Sequence, residues 1–261
     1  MRLLTLLLVA LLGSPLSLAD PYPLDYWARR SAISNVELSP TGAYLGMMKI
    51  PARGENPVIE IFNTDDLTEE PFRVNANPME ITSFSWVDDN SLVFRARQQV
   101  RKQIDGFNEG IYEYRIALVD VKKKELEAFD ERDPFIVSVL PDKPGKILIS
   151  FSEGGKDGVG AKVQAAFRPR AYWEFDLNRG SKKLLVRGKI SLGNIDFDAA
   201  GNPILARGFD INSGEFIWYW REPGEKDWLE FYRQSEDSFE DFTVYGPDPE
   251  VPGNFIVSAN N

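Results

Sequence analysis

A strand-turn-strand unit at residues 33–48 comes back four more times with altered letters, and this recurrence limits the fold more than any other feature of the chain. In the first copy the turn is Ser39-Pro40-Thr41-Gly42. Pro40 presets φ at the second turn position and Gly42 tolerates the backbone that follows, while Val36, Leu38, Tyr44 and Met48 are expected to pack on either side. Later copies turn at 88–90, 141–145, 198–202 and 246–249. With Ser39, Val87, Pro141, Asp198 and Gly246 as equivalent positions, the intervals are 48, 54, 57 and 48 residues.

Each of the first four units holds four strand-like stretches, and the fifth holds two, at 241–245 and 254–259. No long helical pattern intervenes. That period and strand number predict an all-β chain, a partial β-propeller of four-stranded antiparallel blades amounting to about four and a half blades. A sandwich or an up-and-down barrel stays open, because strand patterning does not distinguish radial from face-to-face packing. The propeller domain is expected to occupy 33–261, behind an aromatic lead-in segment at 20–32.

Ahead of both, Met1-Arg2, the apolar run 3–12 and the small residues Ser17 and Ala19 have the three-part pattern of a secretory signal peptide cleaved after Ala19. The apolar run is short for a membrane-spanning helix, so no stable membrane insertion is expected after cleavage. The 242 residues that would remain carry 29 basic and 40 acidic side chains, a formal charge of −11. A phosphate backbone requires a concentrated basic surface, so nucleic acid is not an expected partner. The chain has no Cys, which excludes disulfides and thiolate metal sites and suggests a bacterial periplasm or culture medium. It has no His either, which excludes imidazole zinc sites and any Ser-His-Asp or Cys-His arrangement built from this chain alone.

Four motifs invite a chemical reading. Arg168 and Arg170 bracket Pro169, whose extended backbone splays the guanidinium groups from one ridge. They are candidate substrate-binding residues for a carboxylate, or they pair with acids of their own unit such as Glu174 and Asp176. The glycine-rich loop at 154–162 lacks the Lys-Ser/Thr pair of a phosphate-binding loop, since Gly160 is followed by Ala161. The acid pairs Asp65-Asp66, Asp88-Asp89, Glu236-Asp237 and Glu240-Asp241 could serve a two-carboxylate glycosidase, but most fall in turns, where Asp accepts backbone N–H groups. Trp218-Tyr219-Trp220 reads as a strand with aromatics on both faces, suited to packing or to sugar stacking. No metal constellation and no cofactor motif is visible, and no catalytic residue is assigned.

The segment Leu38-Ser-Pro-Thr-Gly-Ala-Tyr-Leu45 resembles the strand-turn motif of the N-terminal propellers in the prolyl oligopeptidase family of serine peptidases, and of TolB-like propellers. Leu24-Asp-Tyr-Trp27 and Ala166-Phe-Arg-Pro-Arg-Ala-Tyr172 look like secreted bacterial members of that family, its acylaminoacyl-peptidase and dipeptidyl-peptidase branches included. The resemblance implies a non-catalytic propeller that covers a C-terminal α/β-hydrolase domain and sieves peptide substrates by size. The hydrolase elbow Gly-x-Ser-x-Gly is absent from this chain; Ser152-Glu-Gly-Gly155 lacks the Gly two places before the serine. On this reading the chain is the front part of a peptidase, inactive alone, with open blade flanks that invite self-association or a protein partner. The alternative is a non-enzymatic periplasmic propeller that binds protein partners.

Overall fold

The computed structural model describes residues 30–102, 110–152, 169–238, 241–248, 250–251 and 254–260. The signal-like segment, most of the lead-in segment, the glycine-rich loop and Arg168 lie outside the described residues. Those described contain strands and no helix.

Eighteen strands form five antiparallel sheets in chain order. Blade 1 is β1 (Ile33–Leu38), β2 (Tyr44–Lys49), β3 (Val58–Asn63) and β4 (Phe72–Val74). Blade 2 is β5 (Glu80–Asp88), β6 (Ser91–Arg101), β7 (Ile111–Asp120) and β8 (Glu125–Ala128). Blade 3 is β9 (Phe135–Val139), β10 (Lys146–Ser152), β11 (Arg170–Asp176) and β12 (Ser181–Arg187). Blade 4 is β13 (Gly193–Phe197), β14 (Pro203–Asp210), β15 (Glu215–Trp220) and β16 (Leu229–Ser235). The fifth sheet is the pair β17 (Phe242–Pro247) and β18 (Phe255–Ala259).

Each four-stranded sheet is a simple meander in which every strand pairs with the next. Between blades 1 and 2 and between blades 2 and 3 the first strands come together: β1 approaches β5, and β5 approaches β9. Meanders that converge on their first strands are arranged radially, which decides for a propeller against a sandwich or a closed barrel.

The core lies between blades, because alternate residues of a strand face opposite neighbours. Leu92, Phe94 and Ala96 of β6 pack with Met48, Ile59 and Ile61 of blade 1, whereas Val93 joins Ile147, Ile149 and Phe175 of blade 3. Leu148 and Tyr172 continue toward Ile195 and Ala206 of blade 4. Trp218 meets Phe242 edge-on at 5.3 Å and Trp220 meets Phe255 at 5.8 Å, while Tyr219 turns back toward blade 3. The Trp218–Trp220 alternation is therefore inter-blade packing.

Two details depart from the sequence reading. In the opening hairpin Gly42 does adopt φ of 81° and closes the turn onto Ser39, and Tyr44 and Met48 do pack, but Val36 and Leu38 are 54% and 59% exposed. The cause is a bulge between Ser34 and Glu37, with Asn35 at φ 47°. It turns Asn35 toward blade 2, where its amide donates to the Phe84 carbonyl, and leaves the two aliphatic side chains on the other side. In the fifth sheet β17 runs through Gly246 and Pro247 with a bulge at Tyr245, so the turn falls later, where Asp248 N–H donates to the Asn254 carbonyl.

Candidate functional site

A strand residue near the end of a blade has the same alternation as the core but less cover. On β6 the side that gives Val93 to the core goes on to Arg95 and Arg97, and on β7 the side that gives Ile116 continues outward to Tyr114 and Tyr112. Aliphatic packing thus changes into cations on aromatic rings. The Arg95 guanidinium carbon lies 3.5 Å from the Tyr114 ring centroid, and that of Arg97 lies 4.7 Å from Tyr112. These stacks shield the planar guanidinium faces while leaving the N–H edges free for bonding.

Blade 3 brings the other half. Phe135 opens its first strand β9 and is 48% exposed. Arg95 reaches across from blade 2, its Nε donating to the Pro134 carbonyl at 2.7 Å and its guanidinium carbon 5.6 Å from the Phe135 centroid. Arg170, at the start of β11, comes to the same ring at 5.2 Å. Arg170 is held by Ser150, whose buried hydroxyl accepts from Nε at 3.0 Å and from Nη2 at 2.8 Å. Two arginines from two blades therefore share one exposed ring at the innermost strand.

The electrostatics of the pair are unusual for so acidic a chain. Burial pushes the Arg95 guanidinium below its ordinary value and the Arg170 charge pushes the same way, while Tyr114 and the Asp133 carboxylate oppose them. Asp133 already accepts the Tyr114 N–H at 2.9 Å. The carboxylates named from sequence as partners for Arg170 are engaged elsewhere. Glu174 takes Lys143 and Lys146, each at 2.7 Å, and Asp176 accepts the N–H groups of Asn178 and Arg179. Arg97 has Glu80 at 2.8 Å and Arg73 has Glu60 at 2.7 Å. Among the described residues neither Arg95 nor Arg170 has a carboxylate within ion-pair distance. Arg207 lies on the Phe216 and Trp218 rings and Arg221 on the Trp228 ring.

Of the acid pairs, three carboxylates are engaged by turn groups, and Glu240 lies outside the described residues. Asp66 Oδ1 accepts the Thr68 N–H, and Asp88 Oδ1 accepts the Asn90 N–H. Asp89 Oδ1 accepts both the N–H and the hydroxyl of Thr41 at 2.8 Å, pinning the turn of blade 2 to that of blade 1. Among the described residues no three metal-ligating side chains gather. On the first strands, burial pushes the carboxyls of Glu37 and Asp196 up. Arg95, Tyr114 and Phe135 escape a reading by motif because they sit some twenty residues or more apart, and only the blade repeat brings them together. A sequence signal existed: arginine alternating outward from an aliphatic strand on a predicted blade face.

No protein-family model matches the chain and no curated protein matches it in sequence. Solved structures do match. A prolyl endopeptidase structure superposes with a TM-score of 0.52 at 12% identity, covering 82% of this chain and 31% of that one. The acylaminoacyl peptidase of Pyrococcus horikoshii gives 0.50 at 15% identity, covering 76% of this chain and 32% of that one. The likeness is one of fold. An oligogalacturonate lyase in complex with manganese reaches 0.50 at 14% identity, covering 79% of this chain and 55% of that chain. This chain therefore spans about a third of the length of either peptidase and about half that of the lyase. A propeller carries different chemistries, and its own residues must decide among them.

Proposed function

We propose that this chain is the propeller portion of an exported serine peptidase of the prolyl oligopeptidase type. It is a non-catalytic ring segment that covers a C-terminal α/β-hydrolase domain and limits which peptides reach it. The observation that carries the reading is the set of meander blades converging on their first strands, together with the fold likeness to two peptidases. The lyase likeness carries no comparable support from this chain, whose described residues offer no metal cluster and whose Asp66, Asp88 and Asp89 carboxylates are engaged by turn groups. The signal-like segment 1–19 supports export, and the absence of Cys supports a bacterial periplasm or medium. The triad lies on the hydrolase domain, since a chain without His holds no Ser-His-Asp relay.

The test joins sequence and labelling. Reading the gene beyond Asn261, and the neighbouring frames, is expected to show a Gly-x-Ser-x-Gly elbow followed by Asp and His. An active-site fluorophosphonate is expected to label the product that contains the elbow and to leave the 261-residue chain unlabelled. Absence of any elbow in those frames, or labelling of the short chain itself, would overturn the proposal.

A further inference from the structure

We infer that Arg95 and Arg170, which share the Phe135 ring, form a carboxylate-binding site that takes an acidic side chain or a free C-terminus of a peptide. Three observations lead there. The two guanidinium groups lie against one half-exposed ring, and a buried serine and a backbone carbonyl fix their orientation. Both lack a carboxylate partner among the described residues, although Arg73, Arg97, Lys143 and Lys146 each have one. And the Arg170 charge disfavours the Arg95 cation, an effect that an anion bound near both relieves.

The chemistry selects the ligand. A guanidinium presents planar forked donors that match a carboxylate, and the ring beside it offers an apolar floor for the carbon chain that carries the carboxylate. Ser150 accepts from the Nε–Nη2 edge of Arg170 and so fixes the guanidinium before a ligand arrives, leaving its Nη1 side to meet one. Phe135 opens an innermost strand, so the site faces the side of the blades where the first strands converge. The binding step stands on these residues alone. Its extension, that the peptidase favours peptides bearing a carboxylate, rests on the function proposed above.

The experiment titrates the 261-residue chain with three capped dipeptides and follows the Arg Nε–H signals by NMR. N-acetyl-Ala-Glu-amide carries only a side-chain carboxylate, N-acetyl-Ala-Ala with a free terminus carries only a terminal one, and N-acetyl-Ala-Gln-amide carries none. At least one carboxylate probe is expected to shift the Arg95 and Arg170 signals in a saturable way, and the neutral probe is not; which probe binds identifies the source. Arg170→Gln is expected to weaken binding about tenfold, the loss of one charge-assisted fork, and Arg170→Lys to weaken it less. If Arg170→Gln does not fold, Phe135→Leu serves, with a loss of several-fold. Equal shifts with all three probes, no shift with either carboxylate, or unchanged affinity in the variants would overturn the site. None of these outcomes bears on whether a hydrolase elbow follows in the gene, so the two proposals fail separately.

Discussion

The seam between blades 1 and 2 and the seam between blade 4 and the fifth sheet are built from the same repeat and sealed very differently. In the first, Met48, Ile59, Ile61, Phe84 and Trp86 interdigitate, all buried, and Gly46 brings β2 so close that a Cβ there would lie 3.0 Å from the Phe84 ring. In the second, aromatic rings meet edge-to-face (Trp218–Phe242, Trp220–Phe255) and stacked (Tyr232–Phe242, Phe231–Phe255), but no described residue of β17 or β18 is fully buried; Tyr245 is 70% exposed. A blade between two neighbours buries both faces, and a sheet with one neighbour among the described residues buries one. Local sequence is equally strand-like in both places, so the difference lies in the packing.

Truncating the rings at the two seams gives the largest expected contrast. Phe84→Ala should cost about 3–5 kcal/mol, because a fully buried ring leaves a cavity that close neighbours cannot fill. Phe242→Ala, at the open seam, should cost only about 1 kcal/mol, from its lost ring contacts with Tyr232 and Trp218. Urea denaturation measures both, and equal losses would break the comparison.

Next in size is the ion cluster of blade 1. Glu60 is buried, and its burial alone would raise its carboxyl, but hydrogen bonds from Arg73 and Lys49 outweigh that and hold it below the ordinary range. Glu60→Gln should destabilise by about 1–2 kcal/mol, less than for a wholly buried pair, since both cations remain partly solvated and can return to water. No measurable loss would show that the blade 1 sheet is less sealed than its burial implies.

How legible all this was differs by level. The blades were readable because the turn chemistry of Ser39-Pro40-Thr41-Gly42 repeats and each strand keeps a period of two. The exposed fate of Val36 and Leu38 was not, because a single bulge at Asn35 reverses the faces of a strand that sequence reads as regular. Arg170 stood out beside Pro169, yet its obvious partners Glu174 and Asp176 were already bonded to nearer donors. Arg95 and Phe135 belong to different blades, and their meeting depends on how one sheet is set against the next.

The smallest expected effect is on pH dependence, and it separates the blades by sign. Hydrogen bonds from Lys143 and then Lys146 hold the Glu174 carboxyl down, as Arg73 and Lys49 do for Glu60. Their stabilisation is full above the ordinary glutamate value, about 4.3, and is lost as pH falls through it toward the depressed folded values. Asp196 runs the other way: its folded carboxyl is raised, so stability falls as pH climbs from the ordinary aspartate value, about 3.9, through the raised one. Asp196→Asn should therefore stabilise at pH 7 by less than about 1 kcal/mol after solvent screening, and not at pH 3. Thermal melts at the two pH values check it, and stabilisation at pH 3 alone would reverse the sign.

The most direct test of a propeller sealed blade against blade is native-state hydrogen exchange resolved by strand. The strands with a neighbour on both sides, β6, β7, β10 and β11, should exchange slowest, near the rate of global unfolding, and β17 and β18 fastest, by local opening. Protection of β17 and β18 equal to that of β10 would contradict the account, because it would mean that the fifth sheet is as fully enclosed as the blades at the centre of the chain.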